Sequence, residues 1–471
     1  MVFSDQVFLH AFLPLAPALG LLTQRTRAGP ATIFVLSLGF FYWSSGHYTL
    51  LLLASIAINY TGGLLIARRR ERWVIGAAVA ANLLLLGYFK YAYFLASQFD
   101  HVLSPGIVGR AAEIVLPIGI SFYTFQGISY LVDVWRREIE PERDFVLFGA
   151  YLSFFPQLIA GPIVRFRDVA RDFRAPKVSS EMFAAGAARF LLGLTKKIVI
   201  ADTVAPIADA AFATPDPGFA VAWAGALAYT VQIYFDFSGY SDMAIGLGMM
   251  FGIRFPENFR HPYAASTVTG FWRRWHISLS TWFRDYVYIP LGGNRRGAAR
   301  TYVNLGLVFL ATGLWHGAAW TFVAWGAWHG LFLIAERVAL GNQAGTLDRS
   351  WVRLLYFAPV VVVGWVLFRA EDIPQFLDMA AAMASPLAAG AFDVPGALLI
   401  EATPFRGGVL VLALAALAAQ RAVPPAGPML ADLALDKNAA AARLGFVSAA
   451  VALAVLFVIP AEFSPFLYFR F

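Results

Sequence analysis

Two histidines in unusual company are the residues of this chain best suited to proton chemistry. His316 stands in "TGLWHGAAW" (312–320), where apart from Thr312 every neighbour is small, aromatic or aliphatic. His276 stands in "GFWRRWHISLSTWFRDYVYIPLGGNRRG" (270–297), among tryptophans and arginines. A neutral imidazole with a free nitrogen is the usual group for taking a proton from a hydroxyl near pH 7. The plain alternative for His316 is a buried ring bonded to a backbone carbonyl or to Thr312, one helical turn earlier. For His276 it is an anchor at the headgroup level. Gly313, Gly317, Ala318 and Ala319 predict room for a substrate beside the His316 ring. His329, in "WGAWHG", has no charged companion nearby and reads as packing. His10, His47, His101 and His261 read as interface or loop residues.

Two carboxylates, Asp236 and Asp242, lie around a Ser-Gly break after the apolar span 218–235, in "YFDFSGYSDMAIG" (234–246). Asp and Ser commonly satisfy the orphan amides at helix starts, so capping and site-building stand as equal readings. Other catalytic signatures are missing. The chain has no Walker-type Gly-Lys-Ser/Thr, no His-Glu-x-x-His and no Gly-x-Ser-x-Gly, and "GLGMMFG" has the wrong spacing for a dinucleotide fingerprint. With no cysteine at all, disulfides, thiolate metal sites and a cysteine acyl relay are excluded. No metal and no bound cofactor are expected.

The elements that position these residues must lie in a bilayer. Of 471 residues, 59% are hydrophobic and only 14% charged, against about 25% charged in soluble domains; the mean hydropathy is +0.65. Runs at 31–45, 48–67, 74–89, 182–203, 218–237, 318–335, 351–368 and 444–460 approach the roughly 20 residues that span a membrane. The alternating segments of a β-barrel are absent. The expected fold is an all-α polytopic membrane protein of about eleven to thirteen helices, with re-entrant or interfacial segments around a central tunnel. Residues 1–471 are expected to form a single transmembrane domain without internal repeats. Residues 7–22 read as a retained first helix rather than a signal peptide, because Met1–Gln6 lacks a basic region. The net charge of +7 fits basic cytoplasmic loops, so no nucleic-acid partner is expected. Arg25 with Arg27, and the cluster Arg68–Arg72, mark cytoplasmic loops and put the N-terminus on the other side. Residues 385–406 and 421–443 read as loops or surface helices.

Segment 254–300 is too polar to span and too aromatic for a free loop. On helical spacing Trp272, Trp275, Leu279, Trp282 and Phe283 share one face, with Arg273, Arg274, Ser278, Thr281, Arg284 and Asp285 opposite. That pattern predicts an interfacial helix, with His276 at the edge of the apolar face and a stop at Pro290 and Gly292-Gly293. Arg295, Arg296 and Arg300 put this end near the cytoplasmic surface.

The succession "PENFRHPY", "FWRRWHISLSTWFRDYVYIPLGGNR" and "GLWHGAAWTFVAWGAWHG" resembles the membrane-bound O-acyltransferases. Within them it is most similar to the branch containing the alginate O-acetylation membrane subunit and the D-alanyl transfer protein of teichoic acid modification. "LPIGISFYTFQGISYLVDV", "AGPIVRF" and the ending "SPFLYFRF" extend the resemblance over nearly the whole chain. It implies an O-acyltransferase, with O-acetylation favoured, in the cytoplasmic (inner) membrane of a bacterium. A thioester such as acetyl-CoA would be the donor and an exported polysaccharide the acceptor. An extracytoplasmic SGNH-type transferase would be the protein partner, and membrane lipid would surround the chain. His316 matches the family's intramembrane histidine and His276 the second one. Arg273, Arg274, Arg295, Asn258, Asp236 and Gln157 are the candidate substrate-binding residues. Gln157, in "FFPQLIAGP", stands where the alginate branch often carries histidine, and it cannot move a proton. D-alanyl transfer, a polysaccharide or lipid transporter and a non-catalytic scaffold are the alternatives. A transporter might show inverted repeats, and none is visible.

Overall fold

The computed structural model describes residues 3–102, 104–345, 347, 349–422 and 467. The expected span 444–460, residues 423–443 of the expected loop 421–443, and all of the closing motif except Leu467 lie outside them. Every regular element among the described residues is helical. Among the described residues, three stretches are long and apolar enough to cross a membrane: Gly29–Arg69, Arg72–Gln98 and Ser350–Arg369. The first turns at Gly46 into two helices, Gly29–Ser45 and Thr49–Arg69. The expected run 182–203 is helical as Ser180–Thr195, Lys196–Ala201 and the start of Asp202–Phe212, and the run 318–335 enters the helix Trp320–Leu340 after a bend at 318 and 319.

The described residues divide into two compact units, one from residues up to 190 together with 241–257, the other from 191–240, 258–422 and 467. In the first, the helix Ile120–Arg136 is buried over most of its length. Its neighbours approach closely because small residues make room, the usual device where lipid gives helices no hydrophobic reason to associate. A Cβ on Gly127 would lie 2.5 Å from the Asn59 amide, and one on Gly63 would lie 2.6 Å from the Tyr130 ring. Asn59 and Asn82 donate to each other's carboxamide oxygens at 3.0 Å, so their buried amides are satisfied without water. Arg189 forks between Asp242 (2.9 Å) and Glu257 (2.6 Å).

In the second unit, Ala298–His316 and Trp320–Leu340 form a helical hairpin. Thr301, Asn304, Val308, Thr312 and Trp315 of one, and Phe322, Trp325, His329, Leu333 and Glu336 of the other, are buried at helical spacing. Gly313 and Gly326 mark the crossing. A Cβ on Gly313 would meet the Phe322 carbonyl oxygen at 2.2 Å, and one on Gly326 the Phe309 carbonyl oxygen at 2.3 Å.

The helix Phe219–Met250 corrects the expectation of a break at Ser238-Gly239. It runs unbroken for 32 residues, and every residue from 231 to 248 is buried. Asp236 and Asp242 are therefore mid-helix and do not cap its start; Asp236 Oδ2 instead accepts from the Leu467 backbone N–H at 2.9 Å. Gly239 is there for packing, since a Cβ would sit 2.8 Å from the Gly193 carbonyl oxygen.

Gly313→Ala is expected to destabilise the protein by about 1–3 kcal/mol, an overpacking cost. Gly306→Ala on the same helix meets nothing within 4 Å and should be neutral or slightly stabilising. Thermal unfolding of the two purified variants in detergent checks the contrast.

Candidate active site

His276 does not lie on a continuous interfacial helix. The segment folds as Val268–Trp272, a turn, then Ile277–Phe283 and the wider turns of Arg284–Tyr288. His276 sits at the junction with φ 45° and ψ 53°, a left-handed conformation that costs a non-glycine residue about 1–3 kcal/mol. The expected apolar face is buried as required: Trp272, Trp275, Leu279, Trp282 and Phe283 are all inside. So are His276 itself and Ser278 from the supposed polar face. The kink turns these two inward, so His276 is no headgroup anchor.

Asn258 holds the kink. Its Oδ1 accepts from the backbone N–H of Ser278 (3.2 Å) and from the Ser278 hydroxyl (2.9 Å), and its backbone carbonyl accepts from Ile277 N–H (3.0 Å). His276 Nδ1 lies 3.1 Å from the same Oδ1. A backbone N–H can only donate, so the Asn258 atom facing Ser278 is its oxygen, and His276 Nδ1 must carry the proton. Nε2 then keeps its lone pair. Nε2 is buried with no hydrogen-bond partner among the described residues. Burial pushes the imidazole down to about 3, so the ring is neutral at ordinary pH.

His316 is the last residue of its helix, followed by extended backbone at Gly317. Its ring is edge-on to Trp315 and Trp325 (centroids 5.0 Å each) and Phe368 (5.2 Å). The His276 and His316 rings lie 6.4 Å apart, centre to centre. Phe237 meets His276 edge-on at 4.7 Å. The Thr312 hydroxyl donates to the Val308 carbonyl at 2.8 Å, one turn back on its own helix. Nor do the glycines leave substrate room on their own side: a Cβ on Gly317 would fall 2.1 Å from the Phe322 ring. His329 is fully buried in the same aromatic cluster, edge-on to Trp272 and Trp325, and matches the packing reading.

The remaining candidates have other neighbours. Arg273 and Arg295 are exposed, and Arg274 donates to the Gly270 carbonyl. Gln157 belongs to the first unit, where its Nε2 donates to the Tyr151 carbonyl. Asp236 pairs with the buried Lys197 at 2.7 Å, and the same Lys197 Nζ reaches Asp202 at 2.7 Å. Sequence reading missed Lys197, although a lysine inside an apolar run is itself a signal. It also missed Glu336, whose two oxygens accept from the N–H groups of Val268 (2.6 Å) and Thr269 (2.8 Å) and so tie the His276 segment to the hairpin. Among the described residues no group of three or more acidic or histidine side chains is arranged to hold a metal.

The model of the membrane-bound O-acyltransferase family matches residues 37–369. The chain belongs to that family. It is an O-acyltransferase and a multi-pass membrane protein. It is 43% identical, over the whole of both chains, to the protein named probable alginate O-acetylase AlgI of Azotobacter vinelandii. It is 36% identical to the peptidoglycan O-acetyltransferase of Helicobacter pylori, over 80% of this chain and 78% of that one. The teichoic acid D-alanyltransferase of Bacillus subtilis is 27% identical over 61% of this chain and 74% of its own.

Lys197→Met strands the Asp236 carboxylate in the interior, with Asp202 only partly buried beside it, and is expected to cost about 3–5 kcal/mol. The double variant Lys197→Met/Asp236→Asn should recover part of that loss. Detergent-solubilised yield and melting temperature of the two proteins decide it.

Proposed function

We propose that the protein transfers acetyl groups for O-acetylation of an exported polysaccharide in the cytoplasmic membrane of a bacterium. The donor is a thioester on the cytoplasmic side, with acetyl-CoA the best candidate. The observation that carries the chemistry is the pair of buried rings 6.4 Å apart, one of them with its proton fixed on Nδ1. Similarity favours acetyl over D-alanyl transfer, at 43% identity over the full chain against 27% over 61%.

In the proposed step His316 takes the proton of the accepting hydroxyl while its oxygen attacks the thioester carbonyl carbon. The C–S bond breaks, the ester forms and the proton passes to the departing thiolate, giving a free thiol and an acetylated acceptor. General base catalysis of this kind is worth about 10² to 10⁴ in rate. His276, held by Asn258, presents Nε2 to position the reacting group or to assist the proton transfer. With no cysteine in the chain, direct transfer is simpler than a covalent acyl relay. Exposed Arg273 and Arg295 are available to donor phosphates at the cytoplasmic surface. Arg274 contributes less, its guanidinium being already bonded. Asp236 organises its helix through Lys197, and Gln157 has no part in proton transfer. Delivery to sugar is assigned to a separate extracytoplasmic SGNH-type transferase.

His316→Ala should reduce ester on the secreted polymer by about 10²-fold or more with the variant still present in the membrane. Unchanged ester at equal protein level would make the chain a scaffold and refute the reading. Asn258→Ala removes both the fix on the His276 Nδ1 proton and the oxygen that supports the kink. A loss of up to about 10² in turnover per folded molecule is expected, alongside a lower yield of folded protein. NMR of ester on purified polymer and quantitative blotting of membranes supply both readouts.

A further inference from the structure

The first unit contains a cavity of about 1010 Å³ to which neither histidine contributes. Its walls come from four separate parts of the chain: the loop after Leu13–Thr23, the start of Phe145–Ser153, the loop after Phe166–Arg174, and Arg254. Five cations line it, Arg25, Arg27, Arg174, Lys177 and Arg254, against a single carboxylate, Asp144. Asp144 is already committed, its Oδ1 accepting from Val146 and Leu147 N–H. Arg174 is neutralised by Glu142 at 2.6 Å. The other four cations have no carboxylate partner among the described residues, although Asp172 accepts from the backbone N–H of Arg254 at 3.1 Å.

Topology alone accounts for Arg25 and Arg27, since basic loops stay in the cytoplasm. It gives no reason for Lys177 and Arg254, some 150 and 230 residues further on, to converge on the same space. Arg25, Arg27, Lys177 and Arg254 are all exposed, so solvent and salt screen their mutual repulsion, but together they give the mouth of the cavity a positive potential that favours an anion. The helices Gly29–Ser45 and Ser180–Thr195 both begin at the rim, and their N-terminal dipole ends add to the positive potential. The remaining wall is apolar, with Leu147, Val178 and Met182, and the volume far exceeds that of one inorganic phosphate.

We propose that this cavity binds a ligand carrying two or more phosphate charges beside an apolar or ring portion. Two sources share that chemistry, a soluble nucleotide and an anionic phospholipid headgroup of the cytoplasmic leaflet. The inference does not depend on the acyl-transfer assignment, because its readout is binding rather than ester formation.

The test is equilibrium binding to the full chain in neutral detergent, using coenzyme A as the soluble probe and cardiolipin as the lipid probe. Saturable binding of either, weakened about tenfold or more in Lys177→Gln/Arg254→Gln and by raised salt, supports the site, and the probe that binds names the source. Arg171→Gln, a neighbouring basic residue outside the cavity, should bind like the wild type. Both substitutions in the double variant leave the backbone bond from Arg254 to Asp172 intact. Should that variant still fail to fold, Lys177→Gln alone and the salt dependence of the wild type carry the same decision. Absence of saturable binding by both probes, or equal binding by wild type and cavity variants, overturns the proposal.

Discussion

One carboxamide oxygen, Oδ1 of Asn258, takes the Ser278 amide and hydroxyl and faces His276 Nδ1. Three consequences follow from that convergence. The chain can hold His276 in a left-handed conformation that would otherwise be unfavourable. The proton is confined to Nδ1, and Nε2 keeps its lone pair in a water-poor interior. The kink also swings the following helix so that Leu279, Trp282 and Phe283 are buried. Glu336 performs a related service on the other side of the turn, gripping Val268 and Thr269 N–H at the start of the preceding helix. An acidic side chain at a helix N-terminus is where such a charge is most favourable.

The same economy governs the buried charges. In a membrane protein an unpaired ion in the interior is costly, so ionisable residues appear in matched sets. Lys197 with Asp202 and Asp236, and Arg189 with Asp242 and Glu257, each place one cation between two carboxylates. These sets allow the helix Phe219–Met250 to be buried on all sides while carrying two aspartates. The histidines are handled differently. They are enclosed by aromatic edges from Trp315, Trp325, Phe368 and Phe237 rather than by charges.

Much of this was legible in the sequence. The apolar runs, the aromatic crowding of 254–300 and the isolation of His276 and His316 all rest on composition and spacing, which the one-dimensional pattern carries directly. The misreadings share a cause. An amphipathic pattern through Trp272–Phe283 suggested a continuous helix, because spacing cannot reveal that Asn258 arrives to stabilise a kink. Ser238-Gly239 suggested a break, because a glycine admitting the Gly193 backbone looks the same in sequence as one ending a helix. Gly313 and Gly317 suggested space for a substrate, whereas the protein's own Phe322 fills it.

The sequence by itself determined the helical membrane architecture, the family and the two histidines, because hydropathy, residue type and contiguous motifs are local properties. Only the tertiary structure decided which ring nitrogen is protonated, which cation answers which carboxylate and which glycines serve close packing. Each of those depends on a partner supplied by a distant segment: Asn258 for His276, Asp236 for Lys197, Phe322 for Gly313. Such pairings exist only once the chain has brought the segments together.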